Sequence, residues 1–159
     1  MADTHVFETS LEWPADPAQL LPPDPAFSRD NILRGPGKPD VPGSAPAVFS
    51  GDPSRYNPEE LLLLSLSHCH MLTYLAIAAR KRWKILAYRD QATGTLGLGA
   101  HGTAGKMSMQ EVVLRPVITL PAGTDLAEAT SLHEKAHANC FMANSVNFPV
   151  RIEPTFLAA

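Results

Sequence analysis

"NPEELLLLSLSHCHMLTYLAIAARKR", Asn57 to Arg82, decides the fold. Asn57 offers a side-chain oxygen to the free N–H groups of a helix start, Pro58 fits the first helical position, and Glu60 stands three residues after the cap. Nothing then breaks the pattern until Arg80, Lys81 and Arg82, which suit the negative end of the helix dipole and otherwise form a solvated end. One long central helix over 57–83 is predicted. Leu61 to Ala79 carries no formal charge over 19 residues, about the length of a membrane span. It also holds two serines, two histidines, a threonine and a cysteine, and a helix apolar on all sides equally suits the centre of a soluble core or an oligomer. The membrane reading is set aside, and the helix is read as buried.

Upstream, most of the fifteen prolines gather between Pro14 and Pro58 and exclude long helices. Residues 1–56 are expected to form short strands and Pro-rich loops, with extended pieces around His5 to Trp13, Phe27 to Leu33 and Pro46 to Phe49, and loops at Pro17, Pro22, Pro23 and Pro25. Residues 84–159 are expected to hold strands, a second helix and a C-terminal strand. Alternation around Met109 to Leu114 marks a strand in a hairpin or meander, and Pro116 interrupts the next one, as at a sheet edge or a bulge. "TDLAEATSLHEKAHANC" reads as the second helix, with Asp125 and Glu128 spaced as a capping box and Leu126, Ala129, Leu132 and Ala136 at helical spacing. "FPVRIEPTF", Phe148 to Phe156, reads as the closing strand. The sum is an α+β chain, and 159 residues argue for a single domain over 1–159.

A formal charge of −3 and a pI near 6.0 give no global attraction to nucleic acid or anionic membranes. The first residues, "MADTHVFETSLEW", lack a secretory pattern, so a cytoplasmic, reducing setting is expected. There Cys69 and Cys140 would not form a permanent bridge. Catalytic, redox and metal roles remain, beside that of two unpaired buried thiols.

On the first helix Leu62, Leu66, Cys69, Thr73 and Ala76 share one stripe, whereas His68 and His70 lie about 100° to either side of the cysteine. That triplet cannot act together on one metal. His133, His137 and Cys140 stand at i, i+4 and i+7 and offer a metal-binding reading, with Cys69 as a further ligand. A redox reading uses both cysteines. Cys69 lies too deep in its helix for the dipole to assist its thiolate, and burial disfavours the charged form. A cation from elsewhere is then required, and an arginine, permanently charged and able to hold a carboxylate as well, is the stronger device. Arg29 and Arg34 are the upstream candidates, and Glu59 precedes Cys69 on the same helix.

Together "NPEELLLLSLSHCHM" and "HEKAHANC" resemble the two cysteine motifs of the OsmC/organic hydroperoxide resistance family, in the branch with an SxCHM form, and "SRDN" at Ser28 to Asn31 is similar to that family's early Arg-Asp element. Where many members have proline after the second cysteine, Phe141 stands here. The resemblance implies an OsmC-like fold of antiparallel sheets on long central helices, assembled as an intertwined homodimer, and a thiol-dependent peroxidase for organic hydroperoxides that needs no cofactor. Cys69 is then the peroxidatic cysteine, Cys140 the resolving one, Arg29 the activating arginine and Glu59 the carboxylate that orients it. Leu62, Leu66 and Met71 would face a hydrophobic substrate, and an external dithiol, of lipoyl type or another, would return the disulfide to thiols. The rivals are the metal-binding protein above and a small-molecule-binding member of the fold with inert thiols.

Overall fold

Helix α1 spans Pro58–Arg80 and starts as its sequence dictates. Asn57 Oδ1 accepts from the Glu60 N–H at 2.9 Å, and Glu60 Oε2 accepts from the Asn57 N–H at 3.2 Å, a complete capping box. It stops in a Schellman geometry, with the Trp83 N–H donating to the Ala78 carbonyl at 2.9 Å and the Arg82 N–H to Ala79 at 2.9 Å. That turn requires a left-handed residue, and Arg82 supplies it at φ 60°.

The computed structural model describes residues 4–16, 18, 27–99 and 105–159; the loop positions at Pro17, Pro22, Pro23 and Pro25 lie outside them. The chain divides into two compact units, Met1–Leu61 and Leu62–Ala159. In the first, β1 (Ser10–Glu12), β2 (Asn31–Arg34) and β3 (Val41–Gly43) pair antiparallel in that order. The extended piece expected at Pro46 to Phe49 is instead a 3₁₀ turn, Ala47–Phe49, because the Pro46 carbonyl accepts from both Phe49 and Gly51 N–H groups. Gly51 is required there, since a Cβ would stand 1.8 Å from the Ala45 carbonyl oxygen.

The second unit holds two three-stranded sheets. One has the order β4 (Ala87–Asp90), β7 (Pro116–Leu120), β9 (Thr155–Ala158), and the other β5 (Thr93–Leu98), β6 (Met107–Leu114), β8 (Val150–Ile152). β5 and β6 pair antiparallel with a shift at Thr95/Leu96, while β6–β8 and β7–β9 are parallel. Parallel pairs need a crossover, and helix α2, Leu126–Ala138, supplies it. Pro116 opens β7, the middle strand of its sheet, rather than marking an edge or bulge. The first position of a strand tolerates the missing N–H, and there the chain passes from one sheet to the other. The closing segment likewise divides into two strands, β8 and β9.

The buried stripe of α1 is Leu66, His70, Tyr74 and Ala78, rotated from the one that hydropathy alone picks out. Leu66 packs with Val112 and Leu114 of the β5–β6–β8 sheet. Tyr74 and Ala78 pack with Ile118 and Leu120 of the other sheet and with Ala129, Leu132 and Ala136 of α2. One helix is thus footed on both sheets. By length and composition α1 could also cross a bilayer; in the fold its buried stripe is spent on these contacts, while Leu64 and Leu72 remain 50% and 52% exposed.

α2 begins at Asp125, whose carboxylate accepts from the Ala127 and Glu128 N–H groups at 2.9 and 3.2 Å. Glu128 does not complete the box. Its carboxylate pairs with Lys81, so a capping residue becomes a tie to the end of α1.

Candidate active site

Cys69 lies mid-way along α1, between that helix's footings on the two sheets, and is half-buried; Cys140 follows α2 and is 1% exposed. The Cys140 N–H donates to the His137 carbonyl at 3.1 Å and the Cys140 carbonyl accepts from the Asn144 N–H at 3.0 Å, which holds the residue on the last turn. Both cysteines are free thiols, and the Cys69 thiol is close enough to Cys140 to bear on its protonation.

The two sulfurs are electrostatically unequal. Burial pushes the Cys140 thiol up to about 11, and the neighbouring Cys69 thiol favours the protonated form further, against the Ala143 and Met142 backbone N–H groups, which favour the thiolate. At neutral pH Cys140 is therefore a sealed, protonated thiol beside an accessible one. A thiol pair in this relation is chemically competent to close to a disulfide.

Around the pair, the sequence-level expectations divide. Leu66, expected beside a substrate, is a core residue at 1% exposure. Leu62 is half-buried and packs against the same cluster, and Met71 is half-buried. His68 points outward and is exposed.

The metal-binding reading of His133, His137 and Cys140 is corrected. Among the described residues no three His, Cys, Asp or Glu side chains gather as a metal site. The reason lies in His133, which is buried against α1: its Nδ1 is 2.9 Å from His70 Nε2 and its ring stacks on Tyr74 at 4.2 Å. The two imidazoles are parallel within 6° with centroids 5.3 Å apart, which is the span of two rings joined edge to edge by a hydrogen bond. The facing nitrogens, His70 Nε2 and His133 Nδ1, are spent on one N–H···N bond rather than aimed at a third point. Burial first, and then the neighbouring histidines, push His70 down to about 4 and His133 to about 3, so both are neutral at physiological pH.

In the first unit the arginines have distinct surroundings. Arg29 donates to the Phe27 carbonyl at 2.8 Å and lies over the Phe27 ring at 4.6 Å. Arg34 is taken up by Glu12 and by Asp40 at 3.0 Å. Arg55, which sequence reasoning passed over, reaches Asp30 at 3.4 Å and Asp52 at 3.3 Å, yet its Nη1 is buried without a hydrogen-bond partner among the described residues. Glu59 Oε2 is in the same condition. A buried charge left partly unpaired is costly, and an arginine just ahead of the "NPE" start was the available signal for it.

An open cleft of about 920 Å3 lies elsewhere in the second unit, lined by Arg89, Asp90, Arg115, Val117, Glu153 and Thr155 among others. None of the expected site residues lines it.

Residues 51–155 match the family described as OsmC-like protein. The chain belongs to the OsmC-like family. An OsmC-like protein of unknown function from Vibrio cholerae is 31% identical, with a TM-score of 0.80 over 95% of this chain and 99% of that one. An organic hydroperoxide resistance protein OsmC from Legionella pneumophila shares the fold at 17% identity, TM-score 0.71, over 96% and 98% of the two chains. The organic hydroperoxide resistance protein OhrB of Bacillus subtilis does so at 15% identity, TM-score 0.62, over 96% and 98%. No curated protein sequence matches this OsmC-like chain. The α+β, OsmC-like architecture expected from the two cysteine motifs is the one it adopts.

Proposed function

We propose that this OsmC-like protein is a cytoplasmic thiol-dependent peroxidase that reduces organic hydroperoxides to alcohols. The observation that supports the reading is the neighbouring pair of free thiols, one accessible and one sealed and protonated. The Cys69 thiolate attacks the distal peroxide oxygen; the O–O bond breaks, sulfur is oxidised to a sulfenic acid, and the alkoxide takes a proton and leaves as the alcohol. Cys140 then attacks the sulfenic sulfur, an S–S bond forms and water leaves. An external dithiol, of lipoyl type or another, reduces the disulfide and becomes a disulfide itself.

Arg29 and Glu59 carry the activating roles that the family resemblance implies, the guanidinium stabilising thiolate and developing charge, and Arg55 joins them as a candidate for its unpaired buried Nη1. Leu62 and Met71 remain the candidates for contact with an apolar substrate. The exposed leucines of α1, Leu64 and Leu72, suit a homodimer interface.

Thiol counting tests the proposal. One equivalent of an alkyl hydroperoxide should remove both thiols of each chain, and in Cys140→Ser one thiol, trapped as sulfenic acid. Full retention of thiols by the native protein would end the peroxidase reading. In the same assay Arg29→Ala and Arg55→Ala, compared side by side, rank the two guanidinium groups by the loss of oxidation rate.

A further inference from the structure

We propose that the His70–His133 bond is a positioning clamp for the thiol pair: it fixes α1 against α2 and so sets how closely Cys69 and Cys140 approach. The inference rests on reading those cysteines as a redox couple and deepens it, because neither histidine is given a role toward the peroxide.

The argument begins with what determines the distance between the sulfurs. Cys69 precedes His70 on α1, and Cys140 is fastened to the last turn of α2, on which His133 lies two turns earlier. Both backbones are rigid helix, so the sulfur separation follows the placing of one helix on the other. Near the thiols that placing rests on apolar contacts of Tyr74, Ala78, Ala129, Leu132 and Ala136, which attract without direction. The second polar tie, Lys81 to Glu128, sits at the far end of α1 and is exposed. Among the described residues the 2.9 Å imidazole pair is the one hydrogen bond between the two helices that is both buried and directional.

Stability alone does not account for it. The pair leaves His70 Nδ1, His133 Nε2 and the stacked Tyr74 hydroxyl buried without hydrogen-bond partners among the described residues. Two apolar side chains of similar volume would avoid that cost and hold the helices at least as firmly. What they would not give is one fixed register, and register is what a disulfide needs: S–S closure tolerates little error in the approach of the two residues. Effective concentration falls steeply when a reacting pair is loosened by an ångström. Both rings stay neutral at physiological pH, so the bond keeps one donor and one acceptor throughout the cycle.

The test uses the full chain and a reaction that needs no peroxide. The native protein, His133→Leu and His133→Asn are equilibrated with mixtures of oxidised and reduced dithiothreitol: the dithiothreitol disulfide is reduced, the two cysteine thiols are oxidised to one S–S bond, and the protons pass to the new dithiothreitol thiols. His133→Leu keeps bulk and removes the bond, and its disulfide equilibrium constant should fall about tenfold, or about 30 mV. His133→Asn, which returns a hydrogen-bonding atom near the lost Nδ1, should recover most of that loss. With an alkyl hydroperoxide, His133→Leu should form the Cys69 sulfenic acid at the native rate and close the disulfide about tenfold more slowly.

A folded His133→Leu with native potential and native closure overturns the clamp, as does a loss that His133→Asn leaves unrepaired. Should His133→Leu fail to fold, the paired His70→Leu/His133→Leu, which leaves no unpaired imidazole, is measured in its place. Loss of the fold in that variant too counts against the proposal, because a pair that the fold requires is structural. Failure of peroxide to oxidise the native protein while the dithiothreitol result stands would overturn the peroxidase reading and leave the clamp.

Discussion

Cys140 is sealed from solvent while Cys69, the neighbouring thiol that helps keep it protonated, is not. That inequality separates the two steps of the proposed cycle by pH. Peroxide meets the accessible sulfur, whereas resolution waits for the buried one to lose its proton. With Cys140 pushed up to about 11, chiefly by burial, its thiolate fraction, and with it the closure rate, should rise about tenfold per pH unit from neutrality to near pH 10. Stopped-flow measurement of the sulfenic acid lifetime checks this; a flat profile would show that Cys140 is not the attacking group.

The histidine pair links stability to pH in the opposite region. His70 faces His133, with Tyr74 stacked on the latter, and feels His137 and Asp90; burial is the first cause of both lowered values, about 4 and about 3 against 6.5. Folded values below the unfolded one mean that the unfolded chain binds more protons between them. Stability is therefore full above pH 6.5 and falls as pH drops from there toward 4, by up to about 1.4 kcal/mol per pH unit for each histidine. Urea unfolding at pH 7, 6 and 5 measures it, and the slope should halve in His133→Leu.

Leu64 and Leu66 stand two residues apart on α1 with opposite fates, 50% and 1% exposed. Leu66→Ala should cost about 2–5 kcal/mol in unfolding free energy, since it empties space against Val112 and Leu114. Leu64→Ala should cost the fold of the single chain about 0.5 kcal/mol or less. A larger, concentration-dependent loss in Leu64→Ala would instead report a subunit interface seated on it.

Arg82 holds the left-handed position that ends α1. An L side chain there costs about 1–2 kcal/mol, partly offset by the greater freedom of glycine when unfolded. Arg82→Gly should stabilise the protein by about 0.5–1 kcal/mol, read as a rise in Tm, without altering the thiol reaction.

Legibility in the sequence followed the range of the interactions. Both helices, the Asn57 box and the Asp125 cap were readable because their partners lie within one turn. The parallel pairings of β6 with β8 and β7 with β9 were not, since each joins segments separated by α2. Pro46 fails as a strand residue for a local reason, the 3₁₀ turn built on its own carbonyl. At the site, the two cysteines were found by motif, but the stripe assigned to their helix was rotated. Hydropathy ranks His70 and Tyr74 as polar, whereas α1 buries them through their rings and through a bond to His133 that no periodicity reveals. Leu66, Tyr74 and Ala78 with His70 at strict i, i+4 spacing was the pattern that carried the correct face.

Helix α1 stands on both sheets with Cys69 between its two footings. A bond from that point to the end of α2 ties together parts of the chain separated by about 70 residues, and a closed loop of that size removes on the order of 4 kcal/mol of freedom from the unfolded chain. Each turnover would thus carry the protein between a softer reduced form and a harder oxidised one, so that its melting temperature becomes a gauge of how far its thiols have been consumed.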